Sequence, residues 1–414
     1  MRNIRSICAC LFIVAGFGAS GAPEWSDLER PEHNYWERPL DDRFTRLKDD
    51  LEQGRLPLDY GSELAFLKSL LKALEIPESS QVMLFSTTSL QLRLITPSNP
   101  RAIYFNEDLY IGYIPGGRIE VVAMNPELGG VFYIFDIPRD RQQVRVERSN
   151  RCMNCHASED TMHVPSLLVK SVIPGPNSGS LKAFRIGASG HAIPLAERFG
   201  GWHVTGGDGF EHQGNVTGRY VKGKIVTSAN PPGYRFRWDR YPVKTSDILP
   251  HLLLEHQTGF ANRVLKAGYK ARAFLAADEG KLTSAQEAEL EAEAEEVTRY
   301  LLFVDEVAFP EGGFVGDTVF KKDFRSNRRE TSDGLSLKDF DLSRRLFAHR
   351  CSYMIYSPIF SGLHAEMKRR IYARLEAVLG AGQSVKGYES LTLPERMTIR
   401  RILVETLAGY PGGS

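Results

Sequence analysis

Cysteine and methionine are scarce in this chain of 414 residues, which holds five of the first and eight of the second. Cys8 and Cys10 fall in the leading segment, so the body of the chain keeps Cys152, Cys155 and Cys351. Three cysteines cannot build a disulfide scaffold. Charge of one sign is missing too: 52 basic residues stand against 51 acidic ones. That balance gives no footprint for nucleic acid, and no motif of that class is present. There is no phosphate-binding glycine loop, no nucleophile elbow and no dinucleotide fingerprint. No internal repeat occurs. After the first residues no apolar run approaches the roughly 20 residues that cross a bilayer.

What is there begins at the first residue. "MRNIRSICACLFIVAGFGASGA" carries Arg2 and Arg5, an apolar run from Ile7 to Phe17, then small residues. This is the plan of a secretory signal peptide over residues 1–21, cut near Ala19-Ser20-Gly21. The alternative is an uncleaved anchor. The remainder is expected to be periplasmic or otherwise exported. At 42% hydrophobic and 25% charged residues, the full chain has the composition of a globular protein with a core.

The pattern then divides the chain. Residues 22–80 read as a helical segment, with Leu64, Leu67, Leu70, Leu71 and Leu74 at helical spacing before Pro77. Residues 81–150 read as an antiparallel β region, in which "VMLFSTTSLQLRLI", "AIYF", "LYIGYI", "IEVVAM", "GVFYIFDI" and "QVRVER" are separated by turn signals. Residues 151–245 are rich in Gly and Pro. Helices return over 246–414, among them "TSAQEAELEAEAEEVTRYLLFV", with a capping-box pattern from Ser284 to Glu287. The expected fold is α+β: an antiparallel sheet leading into a loop-rich segment, with helices at both ends.

The chemistry lies in "RCMNCH", residues 151–156. C-x-x-C-H is the attachment signature of c-type haem. Two intervening residues put the Cys152 and Cys155 sulfurs on one side of a helical turn, where they match the haem vinyl groups. His156 then reaches the iron. A thioredoxin-like dithiol would need a βαβ setting, and a zinc site would need two further ligands. Over these five residues the chain resembles c-type cytochromes. That resemblance implies one covalent haem c, export and electron transfer with a redox partner protein.

The second axial ligand does not follow the small cytochromes, which supply a later methionine. Met162 is the only methionine between Met153 and Met354, and it lies six residues past His156. His163 would sit on nearly the same helix face as His156. His191 and His212, 35 and 56 residues on, are the candidate distal ligands, with His203 behind them. Neighbouring glycines permit close approach to a porphyrin. Arg151, Arg185 and Arg198 are candidates for pairing with the propionates. His251 and His256, with Glu255 between them, occupy one predicted helix about 140° apart, which is not the geometry of a shared metal face. Cys351 reads as a small buried apolar residue. The glutamates of "EAELEAEAEE" form either a solvated face or a docking site for a basic partner.

The stretch "GGWHVTGGDGFEHQGN", the strand region with "IYFNEDLYIGYI" and the later "CSYMIYS" resemble large, uncharacterised exported haem-c proteins of bacteria. That resemblance implies the cofactor and no particular reaction. Three functions are therefore carried forward. The first is an exported electron-transfer protein. The second is a haem enzyme of peroxidase or oxidoreductase type with an open distal site. The third is a haem-based sensor.

Overall fold

A computed structural model describes residues 21–412 apart from 88, 139–142, 185–187 and 208. The signal peptide expected over 1–21 therefore lies outside the described residues except for Gly21, and Arg185 lies outside them altogether.

The fold is α+β, with helices before and after an antiparallel sheet. Two helices come first, α1 (Arg43–Glu52) and α2 (Glu63–Ala73). Each begins at a side-chain cap: Asp42 accepts from the Thr45 amide, and Ser62 from the Ala65 amide. Helix α2 buries Phe66, Leu67, Leu70 and Leu71, which sit at the spacing of one helix face. Each such burial is worth about 1.5–3 kcal/mol.

Six strands come next in the chain: β1 (Val82–Leu84), β2 (Arg101–Phe105), β3 (Leu109–Tyr113), β4 (Ile119–Asn125), β5 (Gly129–Phe135) and β6 (Glu147–Arg148). They pair in sequence order as a meander. The short helix α3 (Met153–His156) comes after them, then β7 (Val172–Pro174), β8 (Ser180–Ala183), β9 (Trp202–His203), β10 (Val216–Val221) and β11 (Lys224–Ala229). Strand β9 returns from the loop-rich segment to pair with β1, which makes the order β6-β5-β4-β3-β2-β1-β9. Strands β10 and β11 form a separate hairpin. Its Lys222-Gly223 turn takes φ of 49° and 77°, the sign that a two-residue hairpin turn demands.

Two of the expected strands are shorter than the sequence pattern implies. After Leu84 the chain leaves the sheet: the Phe85 and Ser86 amides both donate to the Gly201 carbonyl, and further on Ser89 and Gln91 bond to Glu120 on β4, Gln91 also to the backbone of Arg118. Of "QVRVER" only Glu147–Arg148 pairs.

Alternation sends the sheet's side chains to two faces. Met83, Tyr104, Ile111, Val121 and Tyr133 pack with α1 and α2. Val82, Leu84, Phe105, Tyr110 and Met124 pack on the other side, with α4 (Ile248–Ala276). This 29-residue helix runs about 43 Å at 1.5 Å per residue. Every residue from Ile248 to Asn262 is buried, so its first four turns have no solvent side. Helices α5 (Ser284–Leu301), α6 (Thr318–Phe324), α7 (Pro358–Ser361), α8 (Ala365–Leu379) and α9 (Leu393–Thr406) complete the second layer. The capping box of α5 starts at Thr283 and closes with Gln286, one residue before the expected Ser284–Glu287 pair; Ser284 is already the first helical residue. Among the described residues no helix is long and apolar enough to cross a membrane.

The β4–β5 turn holds the chain that returns past it at Pro165. Gly129 has φ +80°, and a Cβ there would stand 2.4 Å from the Pro165 carbonyl oxygen. The Gly130 amide donates to that same oxygen at 2.8 Å. Gly129→Ala is expected to lower stability by about 2 kcal/mol or more, from left-handed backbone strain plus the clash. Gly382→Ala, where a Cβ meets nothing within 4 Å, is the control. Thermal melts of both variants test this, and equal melting temperatures would refute it.

Candidate functional site at the C-x-x-C-H turn

Strand β6 leads directly into the motif. The Ser149 amide donates to the Phe132 carbonyl at 2.9 Å, which ties the entry to β5. A turn of 3-10 helix, Asn150–Cys152, then runs into α3. Cys152 and Cys155 are three apart in this helical run and so share a side. Both thiols are free; Cys152 is half-buried and Cys155 is exposed. Burial raises the Cys152 thiol above its ordinary pKa.

The helix stops at His156. Ala157 leaves helical geometry, and Met162 and His163 both take positive φ, 57° and 61°. These residues turn the chain back, so neither follows His156 along a continued helix. The return brings Ser166 to His156 twice: the Ser166 amide donates to the His156 carbonyl at 2.9 Å, and the His156 Nδ1 lies 2.8 Å from the Ser166 carbonyl. A carbonyl only accepts, so Nδ1 carries the proton. Nε2 is then the nitrogen with the free lone pair, as a metal-binding imidazole needs. The ring packs on Phe132 of β5 with centroids 4.6 Å apart. Its pKa is pushed down to about 4, first by burial, while the Ser166 carbonyl acts in the opposite direction. The ring is therefore neutral at pH 7.

Beneath the turn lies an ion pair that no motif announces. Arg101 of β2 reaches across Gly112 of β3 to Glu120 of β4 at 2.5 Å. Register puts Ile103, Gly112, Glu120 and Ile134 in one row, with Glu120 on the same face as Phe132. A charged residue at an inward position of "RAIYF" and of "IEVVAM" was a visible signal. Ser166 was not visible, because it acts through a carbonyl that any residue supplies.

The other candidate histidines sit in different surroundings. His191 is buried, with Nδ1 2.9 Å from His256 Nδ1 and its ring stacked on Tyr300 and Phe303 at 4.1 and 4.5 Å. His256 continues to the Ser352 hydroxyl at 2.7 Å. His212 accepts from the Gly214 amide at 3.0 Å and packs against Phe199 and Phe210, beside Val204 at the β9 end of the sheet. His203 is fully buried between Phe85 and Phe236. It shares a face with Met83, opposite to Trp202, and both faces of β9 are covered. Strands β5 and β9 are five strand intervals apart, about 24 Å.

Arg198 pairs with Glu255 at 3.3 Å and donates to the carbonyls of His191 and Ile193, so its guanidinium is engaged within the core. Arg151 is exposed beside the motif. His251 contacts the Ser246 hydroxyl and the His203 carbonyl, away from His256. Cys351 is buried, and burial drives its pKa far up. Among the described residues no three His, Cys, Asp or Glu side chains gather as a metal site. The glutamates of α5 are paired internally: Glu287 and Glu291 with Arg370, Glu295 with Arg374, Glu289 and Glu293 with Lys270, and Glu296 with Lys266.

Comparison of the chain with protein-family models, with curated proteins and with solved structures finds no match.

Burial holds His203, His251 and His256 neutral, with pKa values near 3 against an ordinary 6.5. The folded pKa is depressed, so the stability these rings allow is present above pH 6.5 and lost as pH falls toward 3. At pH 4 the loss is on the order of 3 kcal/mol per histidine. Denaturant midpoints of the unligated protein are expected to stay flat from pH 8 to 7 and drop steeply below 6. A flat profile down to pH 4 would contradict the burial argument.

Proposed function

We propose that this chain binds one haem c covalently through Cys152 and Cys155, with His156 as an axial ligand, and exchanges electrons with a partner protein. The observation that carries this reading is the His156–Ser166 hydrogen bond, which leaves Nε2 as the free nitrogen. The residues fit the group. Two free thiols lie on one side of a helical turn, a neutral imidazole comes directly after them, and Phe132 of the sheet lies against that imidazole. When bound, the haem supplies one-electron exchange at its iron.

The chain's own residues have separate tasks. The two thiols fix the macrocycle at the molecular surface, where Cys155 is exposed. Ser166 holds the imidazole in one tautomer and one orientation. Phe132 backs the ring and keeps water from that side. Export of the protein is part of the same reading. Its support is the basic-then-apolar leading segment, together with an attachment chemistry that in c-type cytochromes belongs to exported proteins.

A second reading is a haem enzyme with an open distal position. It is favoured by the engagement of His191 with His256 and by the packing of His212 beside β9. Absorption spectra separate the two readings. Protein made with a haem-c maturation system is recorded in the ferric, reduced and CO-treated reduced states. A low-spin spectrum unmoved by CO supports electron transfer with two axial ligands. A high-spin spectrum that shifts with CO favours the open site. In the same system Cys155→Ser should lose most of the haem that survives acid–acetone extraction. Retention of a normal amount would refute the attachment.

A further inference from the structure

The Arg101–Glu120 pair is costly where it stands. Both side chains are about 15% exposed, on a sheet face they share with Leu84, Ile103, Val122, Phe132 and Ile134, and with Glu147 at its edge. Desolvating two charges is repaid only by good geometry and further hydrogen bonds. Glu120 has those bonds, since it accepts from the Ser89 hydroxyl at 2.7 Å and the Gln91 amide at 3.0 Å. Arg101 does not have its full set: among the described residues its buried Nε has no hydrogen-bond partner. Space for the guanidinium is reserved, because a Cβ on Gly112 would stand 2.5 Å from Arg101 Nη2. The fields of both charges reach Cys152 and His156. Of the arginines expected from sequence to meet a propionate, Arg198 is committed to Glu255 and two carbonyls.

We propose that Arg101 is the anchor for a haem propionate, and that the Arg101–Glu120 pair sets the reduction potential of the iron held by His156. The inference rests on the haem reading above. Its physical content is a sign rule. Reduction adds an electron to the iron centre, so a nearby cation favours the reduced state and a nearby anion opposes it. The two members of the pair must then act in opposite directions.

The test uses the full chain with its covalent haem. Haem staining of the denatured wild-type protein comes first, and an unstained band overturns both this inference and the reading it rests on. With haem present, redox titration of Arg101→Gln should give a lower midpoint potential than wild type. Glu120→Gln should give a higher one. Arg101→Lys, which keeps the charge, should lie closer to wild type than Arg101→Gln does. The propionate-bending band in resonance Raman should shift in Arg101→Gln and stay in place in Glu120→Gln. Shifts of the same sign in the two Gln variants, or none, would overturn the proposal while leaving haem attachment intact. A merely structural ion pair gives that result, since losing either partner loosens the same contact. Should Arg101→Gln fail to fold, Glu120→Gln and Arg101→Lys decide alone: the first must raise the potential, and the second must leave the Raman band where wild type has it.

Discussion

A helix with no solvent side sets the terms for this molecule. Helix α4 enters the core at Ile248 and stays buried on all sides through Asn262, yet it carries His251, Glu255, His256, Gln257, Thr258 and Asn262. Buried polar groups without partners cost on the order of 1–3 kcal/mol each, and charges cost more. The surrounding elements are arranged to supply partners. Ser246 meets His251, Arg198 meets Glu255, and His191 and Ser352 meet His256. Gln257 accepts from Tyr110 of the sheet and donates to Tyr353 beyond it. The loop-rich segment contributes Arg198 and His191 to this helix, and both are thereby engaged in the core.

The C-x-x-C-H turn is built differently, from short-range backbone geometry on the sheet. Gly129 leaves room for Pro165, the Gly130 amide holds the Pro165 carbonyl, and Ser166, the next residue, grips His156 at two points. Entry to the turn is fixed as well, by Ser149 on Phe132 and by Arg148. The Arg148 guanidinium lies over the rings of Tyr35 and Trp36 and donates to their carbonyls. Thus the N-terminal segment fixes the entry to the turn, while β5 and the chain beyond the motif hold the imidazole.

Much of the fold was legible because its signals are local. The leucines of α2 and the run of β-branched and aromatic residues from Arg101 to Phe135 each arise from a local period. The strand expected to continue past Leu84 did not, since the Phe85 and Ser86 amides both turn to the one carbonyl of Gly201. Of the site, Cys152, Cys155 and His156 could be read from spacing. Phe132, Ser166 and the Arg101–Glu120 pair could not be assembled from one dimension: their relation depends on strand register and on a carbonyl with no residue identity. Period analysis also separated His251 and His256 onto different faces of α4, correctly. It had no means of knowing that every face of that helix would be inside.

The glutamate-rich helix α5 has a consequence for encounters in solution. Its six acidic side chains share four cations, Lys266, Lys270, Arg370 and Arg374 on α4 and α8. The pairing offsets most of the negative charge, and beyond the Debye length, about 10 Å at 0.1 M salt, the remainder is screened. A diffusing protein of either charge meets little long-range pull from this surface. Collisions there are then governed by shape and diffusion, at rates on the order of 10⁵–10⁶ M⁻¹s⁻¹ that ionic strength scarcely changes.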